Sequence, residues 1–255
     1  MKLIIIAVIV ACFLPITTRA DAAEIKVLSS QNLRSVFKKL TPRFEQASGH
    51  KLVFAFDRAL PVKNRILAGE VAAVVISQRL LLDELLSRQK ISKIIDIAYV
   101  SFGVIVRAGS PKPDITTIEG FKNAVLRASS IAHSDPANGT PAGIYLPEMF
   151  RRLGIAEQVR PKTRFISGGG LEVRKLVASG EIELGLAQMY DFIPPYGSSE
   201  GVTLLGALPD GLPRGYVSGG IVSTAEESES GASFLSFLKS DAAAAVLKSE
   251  GFNSF

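Results

Sequence analysis

One cysteine, two histidines and no tryptophan leave several classes of chemistry without the residues they need. Cys12 has no partner for an internal disulfide. It also falls in a segment expected to be removed, which leaves no thiol chemistry in the remaining chain. His50 and His133 stand far apart with no second cysteine, so no zinc or other metal site is expected. The low aromatic content, 7%, and the absence of tryptophan argue against a sugar-stacking site. There is no P-loop, and no cofactor is expected. The net charge of +5 is mild and contains no basic block, which excludes a nucleic-acid partner as the working assumption. A small positive excess suits a small anionic ligand. Beyond the first residues no apolar run approaches the length of a bilayer span.

The first twenty-two residues read as an export signal. Lys2 supplies the positive start, Leu3 to Leu14 the short apolar stretch, and Ala20-Asp21-Ala22 a small-x-small cleavage site. The expected location is the periplasm. Ile9-Val10-Ala11-Cys12 loosely matches a lipoprotein signal, but the apolar run continues to Leu14, which favours a cysteine discarded with the signal. Removal of residues 1–22 takes away two cations, Lys2 and Arg19, and one anion, Asp21, lowering the charge from +5 to +4. About 230 residues remain, enough for two lobes or one large domain.

Glu24 to Ser30 reads as a strand, followed by a helical stripe of Leu33, Val36, Phe37, Leu40, Phe44 and Ala47 that Pro42 is expected to kink or split. A strand at Lys51 to Phe56, a helix from Pro61, a buried strand at Val71 to Ser77 and a helix at Leu80 to Ser87 follow. This alternation predicts a mainly parallel α/β sheet flanked by helices. Ile97 to Arg107 is an apolar strand long enough to cross between lobes. Strands at Ser129 to Ser134, Thr163 to Ile166, Glu183 to Gln188 and Val217 to Ser223 follow, with a helix pair over Ser230 to Lys248.

The run Ser134 to Tyr145 places small residues, a glycine and Pro141 at a helix opening, where backbone N–H groups are free to meet an anion. With Val27-Leu28-Ser29-Ser30, Phe44 to His50, Ile66-Leu67-Ala68-Gly69-Glu70 and Phe234 to Leu238, it resembles the type II periplasmic binding proteins, and within them the molybdate-binding proteins of ABC importers. The resemblance implies two lobes joined by two crossing strands as a hinge. The first lobe is then expected over residues 23–104 plus 217–255 and the second over 105–216. It also implies a cleft ligand, a permease in the inner membrane as partner, and a monomer.

By that resemblance the cleft takes Ser29, Ser30 and Asn32 from the first strand end, Arg58 from the second, Thr140, Ala142 and Gly143 from the motif, Gly169 and Gly170 from the triple glycine, and Gln188. The pattern departs from molybdate binders where Asn32 replaces one serine, Asp57-Arg58-Ala59 lacks the other, and Gln188 stands for a tyrosine. Arg58 is a planar fork suited to a carboxylate. Asp57 reads as a helix N-cap or as a group that meets a ligand hydroxyl. The primary expectation is capture of an oxyanion or a small organic carboxylate. The alternative is an isomerase of a small tricarboxylate such as aconitate, since periplasmic aconitate isomerases resemble molybdate-binding proteins; its base would be Asp57, Glu172, His133 or Tyr145.

Overall fold

The alternating strands and helices sort into two five-stranded sheets in a computed structural model, which describes residues 22–194, 197–226 and 228–255. The export segment and Cys12 lie outside the described residues. In the first half, β1 (Glu24–Ser30), α1 (Arg34–Ser48), β2 (Lys51–Asp57), α2 (Ala59–Leu67), β3 (Val74–Gln78), α3 (Arg79–Ser87) and β4 (Ile91–Val100) follow in turn. Next come β5 (Phe102–Arg107), α4 (Ile118–Arg127), β6 (Ile131–Ser134), α5 (Pro141–Arg152), α6 (Ala156–Val159), β7 (Thr163–Ile166), α7 (Gly169–Ser179), β8 (Leu184–Gln188) and β9 (Val202–Ala207). The chain closes with β10 (Gly215–Val222), α8 (Ser228–Phe237) and α9 (Asp241–Ser249).

The first sheet runs β2-β1-β3-β10-β4 and the second β7-β6-β8-β5-β9. In each, four strands point one way and one is reversed, β10 in the first and β5 in the second. The reversed strands are those that follow a passage from the other sheet. The apolar run expected as one strand over Ile97–Arg107 is two strands, because Ser101 breaks it and each part joins a different sheet. Residues 208–214 make the return passage. The structure also adds the edge strand β9, which β5 alone holds.

Burial follows the periodicity. Val36, Phe37, Leu40 and Phe44 of α1 are buried at helical spacing, and Phe37 stacks on Phe54 with centroids 4.8 Å apart while Phe44 meets Phe234 edge-on at 5.1 Å. Pro42 does not split α1. Both it and Lys38, whose carbonyl it leaves without a helical donor, lie on the exposed face, where water serves that carbonyl.

A side-chain hydrogen bond links the two halves. Tyr145, buried on α5 of the second sheet, donates its hydroxyl to the Tyr216 carbonyl of β10 at 3.1 Å. Tyr145→Phe is expected to cost about 1 kcal/mol, read as a Tm lower by roughly 2–4 °C. An unchanged Tm would mean that this bond contributes nothing to holding the sheets together.

Candidate functional site

Five strands end on one cleft. β1 and β2 of the first sheet and β6, β7 and β8 of the second run into short turns or helix starts there, the carboxyl-end geometry at which open α/β sheets bind ligands. The cleft has a volume of ≈ 270 Å³. Its walls are Gln31 and Asn32 after β1, Arg58 and Ala59 after β2, Ser134 and Asn138 to Pro141 after β6, Gly168 to Leu171 after β7, and Gln188, Tyr190 and Asp191 after β8.

Of the residues expected from sequence, Asn32, Arg58, Thr140, Gly169, Gly170 and Gln188 are brought together there. The other four are elsewhere for identifiable reasons. Ser29 and Ser30 are buried beneath the cleft floor, with Ser29 Oγ donating to the Ser30 carbonyl at 3.3 Å and Ser30 Oγ 2.9 Å from Ser77 Oγ. Ala142 and Gly143 are buried behind Thr140, whose Oγ1 already accepts the Gly143 N–H at 3.1 Å. Asp57 is the last residue of β2 and not the cap of α2, a position Arg58 fills without a side-chain cap. Its carboxylate accepts the Arg58 N–H at 2.8 Å and lies 3.9 Å from Arg65, which turns it out of the cleft.

The other acid–base candidates are also occupied away from the cleft. Glu172 caps the Gly168 N–H at 2.8 Å. The His133 imidazole sits with Nδ1 2.9 Å from the Ser134 carbonyl, and burial holds its pKa below the usual value. Burial pushes the Tyr145 phenol well above the ordinary range.

Two features suit an anion. The first-turn N–H groups of α2 and α7, at Ala59, Gly169 and Gly170, are left over by their own helices and lie at the cleft. Arg58 adds a full positive charge. Gly139 closes the gap between the lobes: its φ is +67°, and a Cβ there would stand 3.1 Å from the Leu60 nitrogen.

Asp191 is the group that the strand–helix pattern did not reveal. It follows β8 by three residues, in a single 3-10 turn, Met189–Phe192. Its Oδ2 is buried without a partner among the described residues. Its carboxyl occupies the space that a side chain on Gly170 would fill. Burial raises its pKa to about 7, with the Gln188 backbone amide pulling the other way. Burial and the adjacent Asp191 also push the Tyr190 phenol well up. The position just past a strand end was the one sequence signal for both residues.

A raised acid destabilises the fold only where it is ionised. Its penalty is absent near pH 4, grows as pH rises, and is complete above about 7. Asp191→Asn is therefore expected to raise Tm by roughly 2–4 °C at pH 8, about 1 kcal/mol after local relaxation, and to leave it unchanged near pH 4. Equal shifts at both pH values would contradict the buried, unpaired state of this carboxyl.

Four of the five buried side-chain atoms that lack a partner among the described residues belong to this cleft: Asn32 Nδ2, Ser134 Oγ, Gln188 Oε1 and Asp191 Oδ2. A larger cavity of ≈ 640 Å³, lined by Lys112, Asp114, Asn123 and Arg127 among others, has none of them and lies off the strand ends.

A family model described as bacterial extracellular solute-binding protein matches residues 25–253. The aconitate isomerase of a Pseudomonas species is 29% identical over 246 residues, covering 93% of this chain and 90% of that one. The molybdate-binding protein ModA of Azotobacter vinelandii is 25% identical over 239 residues, 91% of each chain. Among solved structures, the tungstate-binding protein TupA of Desulfovibrio alaskensis superposes with a TM-score of 0.70 at 12% identity, over 92% of this chain and 99% of that one, a likeness of fold alone.

Proposed function

This chain belongs to the bacterial extracellular solute-binding proteins, and from that membership we propose that it captures a small organic carboxylate in the interlobe cleft and delivers it, in the periplasm, to an ABC importer. The observation that carries the reading is the gathering of unpartnered polar atoms at one place. Each such atom costs about 1–3 kcal/mol when nothing meets it, so four around one cleft mark a surface shaped for a polar ligand. The sign of that ligand follows from Arg58 and the helix starts. Its size follows from ≈ 270 Å³, the space of about nine waters, more than a tetrahedral oxyanion fills and enough for a small tricarboxylate. Binding works by differential affinity: a ligand touching Arg58 and Ala59 on one lobe and Thr140, Gly169 and Gly170 on the other favours the closed arrangement.

Thermal-shift titration with molybdate, tungstate, sulfate, citrate and the two aconitates tests this. Stabilisation by the carboxylates that grows with concentration is the expected result. Stabilisation by the inorganic oxyanions alone would replace the carboxylate with an oxyanion cargo.

A second reading has its own support. Asp191 is the cleft side chain that burial brings into range to exchange a proton near neutrality, while Tyr190 is pushed well up. A relative at 29% identity is an aconitate isomerase. In this reading Asp191 moves a proton between two carbons of a bound tricarboxylate as its double bond shifts. Proton NMR of cis-aconitate with the protein reads this directly; a spectrum unchanged over hours at micromolar protein removes it.

A further inference from the structure

An acid buried in an anion-binding cleft poses a problem that the cleft must solve. Ionised, Asp191 repels the ligand; neutral, it offers a hydroxyl hydrogen to a ligand oxygen. Its Oδ2 has no partner among the described residues, and it is pressed against Gly170 in the wall opposite Arg58's lobe. The elements packed most closely on its turn are β5, β8 and α7, and Tyr190 also meets Gly251 and Phe252 beyond α9, whose Lys248 lines a pocket with it. β8 has no titratable side chain. The charged groups on the others are Arg107 on β5 and Glu172, Arg174 and Lys175 on α7, with Tyr190 in the turn itself and Arg58 across the cleft. Glu172 is committed to the Gly168 N–H and Arg174 to the Glu200 carbonyl at 2.7 Å. No ion pair to Asp191 forms among the described residues, so none of their cations neutralises its carboxylate.

We propose that Asp191 is the specificity residue of the cleft: an anion enters together with one proton shared between its own oxygen and the Asp191 carboxyl. The cleft thereby prefers hydroxy- or partly protonated carboxylates to oxyanions that carry no proton. The shared proton makes a short, charge-assisted O–H···O⁻ bond, and Arg58 balances the ligand's remaining charge. The inference rests on the anion-capture reading and adds the chemical class that the site accepts. The raised pKa of this buried acid, about 7, supports it, since the free cleft then holds its proton up to about that pH.

The test is isothermal titration of the full protein with trans-aconitate, citrate and molybdate from pH 6.5 to 8.5, in two buffers of different ionisation heat. For the wild type, trans-aconitate and molybdate are expected to lose up to tenfold in affinity per pH unit above pH 7, with uptake of one proton per ligand at pH 8.5. Citrate, whose hydroxyl can donate to the ionised carboxyl, loses less. Asp191→Asn is expected to flatten all three profiles. Wild-type carboxylate affinity that is flat across this range, without proton uptake, would overturn the inference and leave anion capture standing. The buffer comparison decides this on the wild type even if the variant fails to fold. A variant that keeps the wild-type slope would also overturn it. No heat with any of the three anions would remove the capture reading and this inference together.

Discussion

Arg58→Ala is expected to weaken binding of a small carboxylate by roughly 10- to 100-fold while leaving Tm in the absence of ligand within about a degree. The guanidinium is exposed at the start of α2, makes no hydrogen bond with its side chain to another described residue, and lines the cleft. Its loss removes no packing from the core. It does remove a fork that meets a carboxylate through two charge-assisted bonds, each charged bond contributing about 1.5–3 kcal/mol, and about 1.4 kcal/mol is a factor of ten. Arg58→Lys keeps the charge and loses the fork, so its affinity is expected to fall between the two. Calorimetric titration with citrate checks the series. Equal affinity in all three proteins would make Arg58 a surface residue and leave the cleft without its cation.

Gly170→Ala is expected to act through both stability and binding. A Cβ at this position runs into the carboxyl oxygen, the carboxyl carbon and the Cβ of Asp191, so turning the end of the side chain does not relieve the clash. Overpacking of this kind costs about 1–3 kcal/mol, a Tm lower by roughly 2–12 °C in a chain of this size. Because the displaced group forms the cleft wall, citrate affinity is expected to fall by more than about tenfold. Gly170→Ala combined with Asp191→Ala restores the Tm and leaves the pH dependence absent. If the single variant melts like the wild type, Asp191 does not occupy the space beside Gly170. The neighbouring Gly169 differs: its φ is +70° with nothing within 4 Å of a Cβ, so a side chain there strains the backbone without striking a wall.

Much of this architecture was legible from periodicity. The stripe of α1, the nearly all-apolar run into β3 and the small-residue opening of α5 each fixed an element within a few residues, because burial on one face or two leaves a plain pattern. The family resemblance likewise pointed to Asn32, Arg58, Thr140, Gly169, Gly170 and Gln188, which line the cleft at the strand ends. What was not legible depended on the direction of single side chains. Ser29 and Ser30 lie on the same strand end as Asn32, yet they bond inward to Ser30 and Ser77. Asp57 and Arg58 are adjacent, and the former turns toward Arg65 while the latter faces the cleft. Asp191 sits in one turn of 3-10 helix, too short to carry a period. Its importance comes from burial and from a glycine, Gly170, well before it in the chain but beside it in the fold, neither of which a linear pattern displays. The break at Ser101 was hidden because the apolar run continues through it into the second sheet.

The central claim is that a small carboxylate binds between the lobes at the strand ends. Amide NMR of the uniformly labelled protein titrated with citrate tests it most directly. The account predicts that the N–H signals of Ala59, Leu60, Gly139, Gly169 and Gly170 move together and saturate at one citrate per chain. Shifts gathered instead around Lys112, Asn123 and Arg127, at the larger cavity, or no shifts at millimolar citrate, would contradict it.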